Sequence, residues 1–376
     1  MVKEYDIIIW GATGFTGKLI CNYIASKNDI NNIKWAIAGR NEDRLSEIAR
    51  KHSIPYYIAN SFDSESLDKL SANSQLIITT VGPYSIYGEK LIASCIKNNT
   101  HYLDLTGEPN FVKRISLKYK DAAESSKAII MHSCGFESIP SDLGAYLTVK
   151  ELDSDDAYLT YYLKTKGRIS GGTWASFLNS ISLGLSEAKS ASNRESKKNT
   201  KKQKKIFYSQ RFKKWAMIFP VIDKYLVMKS SRNMKEYGRG FSFNLYTLQK
   251  SLFSIILIIL GIMSLTFLSK VKFIKNFLLS RIPSGTGPSE EQRKRHWFEV
   301  NIIGKSKSKE VHTTISGGDP GYEETAKFIS ETALCIIMQK NALLKNKGIL
   351  TLVECTGDLM RARLENAGIE ITISKQ

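Results

Sequence analysis

Paired cysteines are the first thing this 376-residue chain lacks. Cys21, Cys95, Cys134, Cys335 and Cys355 form no CxxC pair and have no histidine at ligand spacing. That excludes a disulfide framework and a zinc site and points to a reducing compartment. A secretory signal is missing too: Lys3 and Glu4 stand directly before the apolar run Ile7 to Trp10, so the N-terminal part is expected in the cytosol. No internal repeat is present. Acids are in deficit, with 36 Asp and Glu against 54 Lys and Arg and a net charge of +18, which favours an anionic partner.

Two absences are local. Lys197 to Lys214 carries nine basic residues and no acid, with Phe207, Tyr208 and Phe212 interleaved. Single-strand nucleic-acid binding can use such a pattern, but no nucleic-acid fold surrounds it, so no nucleic-acid partner is expected and the run reads as a flexible basic loop. Ser251 to Ser269 has no charge at all and ends in the cluster Lys270, Lys272 and Lys275. At about 1.5 Å per residue such a helix barely reaches across a hydrocarbon core of about 30 Å. Insertion into one leaflet is therefore expected, with the basic flanks on acidic headgroups; a buried helix or a homodimer interface is the alternative.

Composition is otherwise ordinary for a globular protein, and the length suits two domains. Apolar runs at Ile7 to Trp10, Trp35 to Ala38, Tyr56 to Ala59, Leu76 to Val81 and Ile129 to Met131 alternate with helical patterns, the rhythm of a doubly wound parallel sheet. Residues 1–150 read as a Rossmann-type α/β domain. Residues 151–376 read as an α+β substrate and dimerisation domain, with strands at Ala157 to Lys164, Trp297 to Ile303 and Val311 to Ser316, helices at Trp174 to Leu185 and Tyr322 to Leu343, and the basic loop 195–215 and apolar segment 251–269 inserted.

GATGFTG follows the first strand and opens a helix, the context of a dinucleotide site. Gly11 permits the turn, Gly14 lets backbone approach the pyrophosphate, and Gly17 allows close helix packing, while Thr13 and Thr16 add hydroxyls beside Phe15. The spacing is GxxGxxG, not GxGxxG. At the end of the second strand the acid of an NAD enzyme is absent; Arg40 and Asn41 stand there, and Arg40 suits a 2′-phosphate, so NADP(H) is expected. Asp63 reads either as an acceptor for the adenine amino group or as the N-cap of the helix that follows. Val81, Gly82, Pro83 and Tyr84 end the fourth strand, where the nicotinamide ribose lies in such folds.

No Tyr-x-x-x-Lys stands where a short-chain reductase places it; Tyr146 and Lys150 fit only formally, inside a helical pattern. Candidate acids and bases are Tyr84, Asp104 and Glu108, the last two in HYLDLTGE; a strand-to-helix turn is the alternative for Tyr84, and helix capping and turn formation is the favoured alternative for Asp104 and Glu108. Ser138, Ser141 and Asp142 in CGFESIPSDLG read as helix caps, and Ser170 to Thr173 in SGGT read as an N-cap or an anion site.

Taken in order, GATGFTG, AGR (38–40), TTVGPY (79–84), HYLDLTGE (101–108), CGFESIPSDLG (134–144), SGGTWAS (170–176), GPSEEQR (287–293) and SGGDPGYEETA (316–326) resemble the saccharopine dehydrogenase-like oxidoreductases, within them the trans-acting enoyl reductases of complex lipid synthesis. The resemblance implies a Rossmann domain, NADP(H), a second α+β domain and lipid-linked chemistry at membranes or lipid droplets. It supplies no catalytic residue, and an amino-acid substrate does not carry over. The expected function is a membrane-associated NADP(H)-dependent oxidoreductase reducing an acyl, enoyl or polyketide-type lipid. A non-catalytic NADP(H) sensor or lipid-surface organiser, and a soluble amino-acid or polyamine dehydrogenase, are the alternatives.

Overall fold

The computed structural model describes residues 3–27, 32–167, 174, 178, 203–219, 221–281 and 285–375. Two seven-stranded sheets organise them. In the first, β1 (Tyr5–Trp10), β2 (Trp35–Gly39), β3 (Tyr56–Ile58), β4 (Ser74–Thr79), β5 (His101–Asp104) and β6 (Ile129–Met131) are all parallel, ordered β6-β5-β4-β1-β2-β3. Helices cover both faces, which is why β1 is apolar without alternation. Ile7 and Ile9 join one core with Ile20 and Leu45; Ile8 and Trp10 join another with Leu67 and Leu91.

A seventh strand, Gly348–Leu350, extends this sheet beyond β6. The chain therefore returns to the first sheet long after residue 150, and no single position divides the two sheets. Helix Glu323–Met338 returns with it and packs on helix Phe15–Ala25. Glu331, nearly fully buried, accepts from the Tyr23 hydroxyl at 2.6 Å and pairs with Lys27 at 2.6 Å and Arg363 at 2.7 Å.

The second sheet is mixed: strands Tyr158–Lys166 and Ser242–Gln249 pair parallel, and the other neighbours antiparallel. Helix Ile139–Leu152 follows β6 and lies almost wholly buried against the second sheet's strands Trp297–Lys305 and Glu310–Gly317, with Gly144 facing Ile302. Tyr146 is buried in this helix, and Lys150 lies over its ring while pairing with Asp358, so the two form no reductase dyad.

The basic loop expected over 195–215 is corrected where it is described. Ile206–Ser209 and Lys214–Ile218 form a hairpin at the sheet edge, because its aromatics pack: Phe207 on Tyr246, Phe212 on Tyr162 and Tyr208 on Trp215. Residues 195–202 lie outside the described residues, as do Ser170 to Thr173 and all of the expected helix from Trp174 to Leu185 except Trp174 and Leu178.

The apolar segment forms helix Leu252–Leu268, opened by a Ser251/Ser254 capping box and followed by helix Lys272–Arg281. Only Ile255 in it is buried; Phe253, Leu257, Leu260, Met263 and Phe267 are each more than half exposed. A buried helix is thus ruled out by its own surface. Among the described residues no helix is long and apolar enough to cross a membrane.

Candidate active site

The turn after β1 is built for close approach. Gly11 has φ +91°, in the region that favours glycine, and a Cβ on it would stand 2.7 Å from Thr80 Oγ1. A Cβ on Gly17 would overlap the Gly11 carbonyl oxygen and lie 2.8 Å from Ala12 Cα, so helix Phe15–Ala25 can start this near β1 only with glycine. Gly14 is that helix's N-cap and makes no such contact: a Cβ there would meet only Gly11 O, at 3.2 Å. The first-turn N–H groups, which have no intrahelical acceptor, thus begin at an uncrowded surface suited to a pyrophosphate. Thr13 and Thr16 flank it half-buried.

Phe15 faces the other way, into the C-terminal part of the chain. Its ring packs edge-on against Tyr322 (5.0 Å), Gly287 lies against it, and the Arg293 guanidinium sits 5.6 Å from its centroid. Arg293 is fixed by Glu323 (2.7 Å) and Pro288 O (2.8 Å), and His296 pairs with buried Asp319 at 2.6 Å. GPSEEQR and SGGDPGYEETA thereby meet GATGFTG in space.

Arg40 is exposed at the end of β2 and makes none of the ion pairs found among the described residues, leaving it available to a 2′-phosphate. Asn41 and Asp63 act as helix N-caps: Asn41 accepts from Arg44 N at 2.9 Å, Asp63 from Glu65 N at 3.0 Å and Ser66 N at 3.3 Å. Both are exposed.

After β4, Val81, exposed Gly82 and Pro83 lie at the carboxyl end of the strand, with the Gly82–Pro83 peptide cis. The three candidate acids and bases come together here, but each is engaged internally. The Glu108 carboxylate accepts from Tyr84 N (2.8 Å) and Ser85 N (3.1 Å), capping helix Tyr84–Lys97 from another loop. The buried Tyr84 hydroxyl donates to Thr79 O at 3.2 Å and accepts from Leu105 N at 3.3 Å, and burial holds its pKa well above the usual tyrosine value. Asp104, fully buried, accepts from the Tyr102 hydroxyl (3.0 Å), Thr106 N (3.0 Å) and Ser133 N (2.9 Å), and bonds His132 Nδ1 at 2.6 Å. A carboxylate so saturated organises the loop after β6; it is not a free proton carrier.

The expected caps in CGFESIPSDLG also differ. Ser138 occupies the N-cap, but its hydroxyl donates to Ser133 O at 2.7 Å. Asp142 reaches across to the Ser230 hydroxyl (2.6 Å) and Val353 N (3.2 Å), and burial pushes its pKa up to about 7.

Comparison with known proteins agrees with this geometry. Residues 7–131 match the family model described as saccharopine dehydrogenase NADP binding domain. A trans-acting enoyl reductase of Mycobacterium tuberculosis is 27% identical over 408 residues, 98% of this chain and 97% of that protein. Residues 7–131 are thus similar to the NADP-binding domain of the saccharopine dehydrogenases, and nearly the whole chain is similar to the trans-acting enoyl reductase. A lipid droplet localized protein of Caenorhabditis elegans is 26% identical over 406 residues, 95% of each chain. The saccharopine dehydrogenase (L-Glu forming) of Saccharomyces cerevisiae shares the fold, with a TM-score of 0.58 at 12% identity over 99% of this chain and 100% of that one.

Beside this NADP-binding domain, two titratable groups escaped the sequence reading. Glu137 lies in the turn after β6, and its Oε2 is enclosed with no hydrogen-bond partner among the described residues. Asp223 opens helix Asp223–Asn233 and is buried. Burial pushes both carboxyls up to about 7. Position after an apolar strand was a usable signal for Glu137, although the surrounding Ser and Pro drew the reading toward caps. Asp223 comes from a distant part of the chain, and no linear spacing links it to the site.

Proposed function

We propose that this chain is an NADPH-dependent reductase of an acyl, enoyl or polyketide-type lipid intermediate, working at the cytoplasmic face of a membrane. The observation that carries this reading is the exposed apolar helix Leu252–Leu268, which leads through helix Lys272–Arg281 into the GPSEEQR segment packed on Phe15. Full burial of one large aliphatic or aromatic side chain is worth roughly 1.5–3 kcal/mol. Several such side chains on one helix, more than half exposed, favour hydrocarbon over water far more than a soluble surface requires. At 17 residues the helix is about 25 Å long, short for crossing a core of about 30 Å and suited to one leaflet. Lys250, Lys270 and Lys275 flank it, in keeping with acidic headgroups. The names of the enoyl reductase and lipid droplet relatives lend the same support.

Gly11, Thr13, Gly14, Phe15, Thr16 and Gly17 would hold the pyrophosphate, Arg40 the 2′-phosphate, and Val81 to Tyr84 the nicotinamide ribose. When bound, the reduced nicotinamide supplies a hydride. The protein orients that ring, braces the loop after β6 through Asp104, and receives the acyl chain from the membrane side. The test incubates the protein and NADPH with decenoyl-coenzyme A, its double bond next to the thioester, with and without anionic vesicles. Nicotinamide oxidation with formation of the saturated thioester, faster with vesicles, is expected. No oxidation under either condition sinks the reductase reading.

A further inference from the structure

The carboxyl ends of β4, β5 and β6 carry a set of acids that are all tied down but one. Glu108 caps helix Tyr84–Lys97, and Asp104 is filled by donors from four residues. The loop that Asp104 organises then turns through Gly135 and presents Glu137. Cys134 N donates to Asp104 O at 2.7 Å, and Phe136 N donates to Thr325 Oγ1 at 3.1 Å, so the turn is anchored on both sides of Gly135. A Cβ on Gly135 would overlap Glu137 Oε2 and lie 2.8 Å from both Leu105 Cδ2 and Thr325 Cγ2. The carboxyl oxygen therefore rests against backbone between the β5 and β6 loops and the C-terminal helix. Enclosed at Oε2, the residue as a whole keeps some solvent exposure.

We propose that Glu137, the acid of this cluster whose Oε2 has no hydrogen-bond partner among the described residues, is the proton donor of this site. Resting on the reductase reading above, the step balances as follows. The hydride from the nicotinamide bonds to the β carbon of the enoyl group, the carbon–carbon π pair moves toward the α carbon, and that carbon takes the proton from the Glu137 carboxyl. Glu137 is left as a carboxylate and regains a proton from solvent; the products are the saturated acyl group and the oxidised cofactor. Burial supports the assignment by raising the Glu137 carboxyl to about 7, the Asp223 and Asp104 charges adding to the rise, so that both protonation states are populated near neutrality. Asp104 faces it from the end of β5, Tyr84 from helix Tyr84–Lys97, Cys134 from its own loop and Asp223 from helix Asp223–Asn233. Helix Glu323–Met338 contributes Thr325, and the adjacent Glu324 is paired with Lys327 at 2.6 Å. None of these is a cation that would hold Glu137 ionised.

The experiment measures binding of NADP+ and of NADPH to the full-length protein from about pH 5 to about pH 8.5, for the parent, Glu137→Gln and Glu137→Asp. An ionised carboxylate beside the ring favours the cationic oxidised nicotinamide, so in the parent the preference for NADP+ over NADPH is expected to grow several-fold as pH rises through about 7. Glu137→Gln should bind NADPH like the parent at the acid end, which also verifies its fold, and lose that growth; Glu137→Asp should keep it. A profile unchanged in Glu137→Gln overturns the assignment. So does decenoyl-coenzyme A reduction by Glu137→Gln at the parent's rate. If the parent shows the pH-dependent preference and Glu137→Gln loses it, yet no thioester is reduced, the titrating group beside the nicotinamide stands and the reductase reading fails.

Discussion

Arg293 holds its guanidinium 5.6 Å from the centroid of the Phe15 ring, tying the dinucleotide turn to a segment far along the chain. Phe15 is the first residue of the helix whose N-terminus would face the pyrophosphate, and Tyr322 packs on it edge-on. An aromatic pair of this kind is worth about 0.5–1.5 kcal/mol beyond burial. Phe15→Ala is therefore expected to weaken NADPH binding roughly 2- to 10-fold by loosening the turn. Circular dichroism should be unchanged, and unaltered affinity in a folded variant would show that the clasp does not hold the loop.

The parallel sheet was legible because a strand buried on both faces must be continuously apolar, as Ile7, Ile8 and Ile9 are. GATGFTG was legible because Gly11 and Gly17 answer steric demands at fixed offsets after an apolar strand. Other features had no local signature. Gly348–Leu350 is three residues long and joins the sheet only through β6. The Phe207 and Phe212 hairpin was masked by its lysines, whose heads stay in water while the aromatics pack on Tyr246 and Tyr162. Asp104 and Glu108 were visible by type and position as either acids or caps, and only the donors that saturate them, which no linear spacing shows, decide for the structural role.

The glycines separate binding from folding. Gly14→Val keeps an ordinary extended backbone, φ −73°, and asks only a shift of tenths of an ångström from Gly11 O at 3.2 Å, so the fold is expected to survive while its side chain stands where the pyrophosphate would approach. NADPH affinity should fall by more than tenfold. Gly17→Val instead drives its side chain into Gly11 and Ala12 and should lower the thermal midpoint. Calorimetry beside cofactor titration distinguishes the two; a stable Gly17→Val protein would contradict the packing described.

Cofactor choice is expected to rest on Arg40, which is exposed directly after β2, where an NAD enzyme would place an acid. NADPH should bind more tightly than NADH, and Arg40→Asp should reverse the order by repelling the 2′-phosphate. Equal affinities in the parent would remove Arg40 from the site.

Asp142 makes stability depend on pH in a defined direction. Its folded pKa, about 7, lies above an unfolded value of about 3.9, so the folded state binds its proton more tightly. The contribution is fully present below about pH 4 and is lost as pH rises toward and through about 7. Asp142→Asn, which cannot ionise and keeps an acceptor for Ser230, should gain stability relative to the parent across that window. Urea midpoints at about pH 5 and about pH 8 measure it. A constant difference between the two proteins would mean that Asp142 does not titrate there.

The apolar helix offers the sharpest test of the membrane reading. Ile256 and Leu260 are 46% and 53% exposed, so charging them leaves no unpaired charge in the protein interior and should not unfold it. In hydrocarbon the same charges cost on the order of 3 kcal/mol each near the centre and less near the interface. The parent is expected to float with anionic vesicles. Ile256→Asp with Leu260→Lys should remain in the supernatant while binding NADPH with parental affinity, because the dinucleotide turn is built from other elements. Raised salt should weaken parental flotation only in part, since Lys250, Lys270 and Lys275 supply the screened component and the aliphatic side chains the unscreened one. A double variant that still floats, or a parent that never does, would leave the exposed helix to a protein partner and remove the main support for a lipid substrate.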